Sequence, residues 1–196
     1  MKFLDALLGR TKPKQPDLNA LFAVTSAAVT LRAAVGLRPS GQAAVAFKPA
    51  SGQAFAATSG ELLELARYSG TTSGTGLRTT DDEYGYRWIV LDDPDLEDLV
   101  ATVHVINAGL TDQGFGSQLL CSVFGFAAED DGAPCHLVYL YKRGTFYPFA
   151  PRPGQRRDNE LELRLRGATE AELPLEPDLA RWFPLWGLPL DGGTGK

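Results

Sequence analysis

The sequence predicts one α+β domain, a mainly antiparallel sheet with two to three packed helices. Two strongly apolar runs, Leu119 to Phe126 and Leu137 to Tyr141, flank a turn signal at Asp131 and Gly132 and read as a hairpin. The segment that follows Asp93 and Pro94 carries Leu96, Leu99, Val100, Val103, Asn107 and Leu110 along one helical stripe. Helices interspersed with hairpins place the chain in the α+β class.

Size and composition agree. The 196 residues, 44% hydrophobic and 22% charged, are enough for one sizeable core. A net charge of −5 argues against a general nucleic-acid binder. No apolar run is expected to reach the roughly 18 residues of a membrane span, and Phe3 to Leu8 is too short for a signal-peptide core, so a cytoplasmic location is expected. In the hairpin register Cys121 lies opposite roughly Tyr141, which sets it about 20 Å from Cys135 at about 3.3 Å per residue, too far for a disulfide.

In chain order, residues 1–16 form an amphipathic basic arm. Phe3, Leu4, Leu7 and Leu8 stand at helical spacing, Arg10, Lys12 and Lys14 follow, and Pro13 and Pro16 end the pattern. The arm suits either weak membrane contact or packing on protein. The domain spans 17–190. Asp17 caps a short helix from Leu18 to Ala23, and from Ala28 to Val35 the period of two predicts a half-buried strand. A turn at Pro39-Ser40-Gly41 leads into a strand from Ala43 to Lys48. Thr58 and Glu61 have capping-box spacing for a helix from Ser59 to about Tyr68, and the loop at 70–76 is the candidate lobe boundary. Tyr84 to Leu91 reads as a central strand because both of its faces are largely apolar. Gly144 reverses the chain into Thr145 to Phe149, and a proline-rich loop follows. Glu160 to Arg166 alternates leucine with charge and predicts a one-sided strand. Asp178 caps a short helix, Trp182, Phe183 and Trp186 are expected to fold back over the core, and 191–196 forms a disordered tail.

Tests for chemistry return little. His104 falls on a helix and His136 at a strand start, neither in a nucleophile motif, and Cys121 lacks neighbouring cations. Asp92, Asp93 and Asp95 read as a helix start, and DDEYG is no EF-hand loop. No cofactor, no metal site and no catalytic residue is expected.

Charge is blocked. Residues 81–98 hold eight acids against Arg87, while 142–157 holds five cations and no acid. The second block belongs to a proline-rich turn with three rings. Lys142, Arg143, Phe146, Tyr147, Phe149, Arg152, Arg156 and Arg157 are the candidate partner-binding residues, because arginine and aromatic side chains concentrate binding energy. The alternative is a rigid corner whose rings cover the sheet end and whose arginines pair with Glu160, Glu162 or the acids of 81–98.

The opening FLDALLGRTKP, the segment DDEYGYRW, the run LVYLYKRGTFYPFAPRPGQRRDNELEL and the closing RWFPLWG resemble the PspA-associated family PspAB of actinobacteria. That resemblance implies a cytoplasmic accessory of the phage-shock, or envelope-stress, response with a PspA-like coiled-coil partner, and it carries over no catalytic residue. In outline the architecture is similar to YbjN-like and type III secretion chaperone-like modules. The expected function is a non-enzymatic adaptor that binds a protein such as PspA, with weak peripheral membrane contact through the arm. The alternatives are a chaperone-like module unrelated to membranes and an enzyme with a dispersed site. Oligomeric state is not legible.

Overall fold

The computed structural model describes residues 17–50, 60, 64 and 74–190. The arm with Phe3, Leu4, Leu7 and Leu8, most of the segment expected as a helix from 59 to 68, most of the candidate boundary at 70–76 and the tail at 191–196 lie outside the described residues. Gly60 and Glu64 are helical.

Asp17 caps as expected, its Oδ1 accepting the Asn19 amide at 3.0 Å to start a 3₁₀ turn, Leu18–Phe22. It continues as α1, Ala23–Val35, where a strand was expected. The alternation of Val29, Leu31 and Val35 is outweighed by the alanines between them, the best helix formers. The inward stripe is Val24, Ala27, Ala28 and Leu31, at intervals of three, one and three, and Gly36 closes the helix in the left-handed region at φ 66°. Leu18–Val35 is also long and apolar enough to cross a membrane, contrary to the expectation that no run approaches that length. Its stripe of Leu21, Val24, Ala27, Ala28 and Leu31 packs into the helix-side core, while Val29 and Arg32 face outward.

Six strands form one antiparallel sheet: β1 Leu37–Phe47, β2 Gly76–Asp81, β3 Arg87–Asp92, β4 Leu119–Ala128, β5 Pro134–Leu140 and β6 Thr145–Phe149, in the order β2-β3-β1-β4-β5-β6. β1 runs through the expected Pro39-Ser40-Gly41 turn, which is instead an irregularity in its pairing with β4. Gly125 of β4 faces that bulge, and a Cβ there would collide with Ser40 Oγ. β3 is paired on both sides, as its apolar faces require, but it starts at Arg87, and Tyr84 and Tyr86 belong to the turn before it. β2 was not expected. In the β4–β5 hairpin Cys121 faces Leu140 and Cys135 faces Phe126, and both thiols are free.

Helix α2, Leu96–Asp112, takes Asp95 as its cap, two residues beyond the expected Asp93. Asp93 serves the same start by accepting the Asp95 amide at 2.8 Å. A short ribbon, β7 Pro151–Arg152 and β8 Arg156–Arg157, organises the proline-rich loop. α3, Asn159–Thr169, replaces the strand expected at Glu160 to Arg166. Asp158 Oδ1 accepts the Leu161 amide at 2.9 Å, and the Glu, Leu and Arg residues that follow all favour helix. Glu162, Leu165 and Thr169 face inward, whereas Leu163 is half exposed.

The three helices cover one face of the sheet, meeting Val45, Phe47, Phe124, Phe126 and Tyr139. The other face, with Ala44, Ala46, Val90, Val123, Tyr147 and Phe149, is covered by the C-terminal segment through Trp182, Leu188 and Leu190. The expected folding back of the aromatics is observed for Trp182 and Trp186, while Phe183 is exposed.

Candidate functional site

Alternation along β6 decides where the rings of the basic turn go. Phe146 enters the helix-side core and stacks obliquely on Tyr139, their centroids 4.9 Å apart. Tyr147 and Phe149 enter the opposite face, where Tyr147 lies 6.3 Å from Trp182 and Phe149 packs edge-on against Trp186 at 5.2 Å. All three rings are buried, so none stands outward as an anchor for a partner. Tyr147 and Phe149 hold the C-terminal segment instead, and the Tyr147 hydroxyl donates to the Phe183 carbonyl at 2.8 Å.

The cations divide into two groups. Arg157 donates from Nε to Glu162 Oε1 at 2.9 Å, from Nη1 to the Trp182 carbonyl, and lies 5.4 Å above the Phe149 ring. Buried Glu162 also accepts the Ala150 amide at 2.9 Å. Arg152 pairs with Asp158 at 2.9 Å. Asp158 is held below the usual carboxylate value by the Leu161 amide first and by Arg152 as well. Arg143 pairs with buried Glu176. Burial pushes Glu176 up, but hydrogen bonds from Arg143, Thr145 and the Asp178 amide outweigh it and hold the group low. Lys142 and Arg156 are exposed and make no ion pair among the described residues; Arg156 donates only to the Pro153 carbonyl, at 3.2 Å. The turn is therefore an internal corner with two outward cations.

Sequence reasoning missed the cleft on the opposite-signed block. In the β2–β3 turn Asp82 Oδ1 accepts the amides of Tyr84 and Tyr86, each at 2.9 Å, and Oδ2 accepts Trp88 Nε1 at 2.9 Å. That one carboxylate fixes three aromatic residues. Facing them is the C-terminal segment, which Arg78 ties to β2 through the Pro189 carbonyl. Between the two lies an open cleft of about 510 Å³, lined by Asp82, Glu83, Tyr84, Tyr86, Trp88 and Trp186 with apolar neighbours. Glu83 holds the exposed Tyr84 phenol above its usual value. Asp81 is neutralised by a two-pronged pair with Arg87, 2.7 and 2.8 Å. The signal that could have revealed this turn is DDEYG itself, an Asx turn closed by a glycine at φ 77°.

Three more acids of the block have structural partners, Asp95 as the cap of α2 and the two that follow. Asp92 accepts from Gln42 at 2.7 Å, and buried Asp93 accepts from Thr75 at 2.5 Å.

Burial pushes both thiols up to about 12, which makes them poor nucleophiles. His104 packs on the Phe22 ring at 4.9 Å and His136 is buried beside Phe149. Among the described residues no group of three His, Cys, Asp or Glu side chains is placed to hold a metal.

No curated protein and no solved structure matches the chain, so the outline likeness to YbjN-like and secretion-chaperone modules gains no support. A family model described as PspA associated protein B matches residues 1–190. The chain belongs to that family, PspAB.

Proposed function

We propose that this PspAB protein is a non-enzymatic adaptor of the phage-shock, or envelope-stress, response that binds PspA on the cytoplasmic side of the membrane. The observation that carries the reading is family membership across nearly the whole chain, since the family is described by its association with PspA. Opposite-signed surfaces support a docking role: Lys142 and Arg156 face out at the basic corner, and Asp82 and Glu83 line the cleft. In this reading the two outward cations meet an acidic helical face of PspA. The basic arm at 1–16 adds weak attraction to anionic headgroups, and two weak contacts on one chain reinforce each other.

The variants that test this must spare the internal pairs, because charge reversal at Arg157 would strand buried Glu162 and unfold the corner. Lys142→Glu with Arg156→Glu alters only exposed side chains. PspA recovered with the purified chain is expected to fall by roughly tenfold for that double variant. Equal recovery removes the corner from the interface, and no PspA recovered with the wild type removes the adaptor reading altogether.

A further inference from the structure

We infer that the cleft between the β2–β3 turn and the C-terminal segment receives an arginine or lysine side chain from a basic segment of a partner protein. Three observations select a cation. The lining carboxylates, Asp82 and Glu83, have no ion pair among the described residues, whereas Asp81 beside them is matched by Arg87. Asp82 is fully hydrogen-bonded, but its three donors are neutral N–H groups, so its negative charge remains. The rings of Tyr84, Tyr86, Trp88 and Trp186 add π faces, to which a cation is attracted. One of these rings already takes a cation within the molecule: Lys48 Nζ sits 5.3 Å above the Tyr86 ring.

Two further features select a side chain on an apolar stem rather than a bare ion. Leu120, Leu185 and Leu188 line the same cleft and match the methylenes that lysine and arginine bury. The cleft is also open, so a side chain projecting from another chain can enter it. Asp17, where the described chain begins, gives its carbonyl to the Tyr139 hydroxyl at 3.0 Å, and Tyr139 belongs to the core beneath the helices, on the other face of the sheet.

The inference does not rest on the basic corner, and its test reads a different surface. The probe is a capped octapeptide of four arginines interspersed with leucine and glycine, with a matching glutamate peptide as the opposite-sign control. Binding is followed by the emission of Trp88 and Trp186 and by the anisotropy of labelled peptide. The arginine peptide should bind saturably and the glutamate peptide should not. Glu83→Lys with Tyr84→Ala changes only exposed side chains and should weaken binding at least roughly tenfold, while Lys142→Glu with Arg156→Glu should leave it unchanged. No binding at about 1 mM peptide, equal binding by the cleft variant, or equal binding of the glutamate peptide overturns the inference. A peptide of residues 1–16 that binds when the arginine peptide does not would assign the cleft to the chain's own arm and overturn it equally.

Discussion

Of the residues that shape the corner, Glu176 has the clearest energetic signature. It is buried, it receives Arg143 and Thr145, and those hydrogen bonds hold it below its ordinary value of 4.5 despite burial. Asp158, ordinary value 3.8, is lowered in the same direction by the Leu161 amide and Arg152. A carboxyl group depressed in the folded state binds its proton more readily when unfolded, so acid favours unfolding. The stabilisation is complete above the ordinary values and disappears as pH falls through the folded ones. The urea midpoint should therefore be level from about pH 7 to 5 and fall below about pH 4.5. Glu176→Gln should start from a lower midpoint at neutral pH and fall less steeply in acid. An acid slope identical to wild type would show that Glu176 does not contribute to it.

At the scale of elements, legibility followed the strength of the local signal. The β4–β5 hairpin, the reversal at Gly144 and the stripe of α2 were legible because turn residues and period agree there. α1 and α3 were misread because each contains a short run compatible with both periods. In α1 only the buried set separates them: Leu31 is 1% exposed and Val29 is 72% exposed, although a strand would place both inward. In α3 the alternating leucines diverge on the helix, Leu165 inward and Leu163 outward, and the cap that starts the helix is Asp158, just before the apparent strand. The site was legible in composition but not in direction. The sequence marked the rings and cations of the corner, but burial and internal pairing depend on contacts far along the chain, such as Arg143 with Glu176 and Arg157 with the Trp182 carbonyl. The helical reading of α1 makes a sharp prediction. Leu31→Ala should cost about 2–5 kcal/mol and Val29→Ala less than about 0.5 kcal/mol in chemical denaturation. Comparable losses at the two positions would restore the strand.

Among the described residues the sheet is covered asymmetrically: helices α1, α2 and α3 pack on one face, and residues 182–190, with no regular structure, pack on the other. Residues 182–190 have no ladder of their own, and side chains from the sheet and the corner reach their carbonyls: Arg157 to Trp182, Tyr147 to Phe183 and Arg78 to Pro189. The apolar contribution comes from Trp182, Leu188 and Leu190, which cover Ala44, Val90, Val123 and Phe149. A buried tryptophan of this kind is worth about 3–5 kcal/mol on truncation to alanine, a large share of a small domain's stability. A chain ending at Arg181 should thus lose its cooperative transition or shift it to much lower urea, and should bind a hydrophobic dye through the uncovered face. A chain ending at Leu190 should keep the cooperative transition, because it retains Trp182, Leu188 and Leu190. Trp182→Ala should fall between the two. If the chain ending at Arg181 unfolds at the wild-type midpoint and binds no dye, the segment is a separable arm and not a layer of the fold. The cleft wall carrying Trp186 would then form only when that arm is docked.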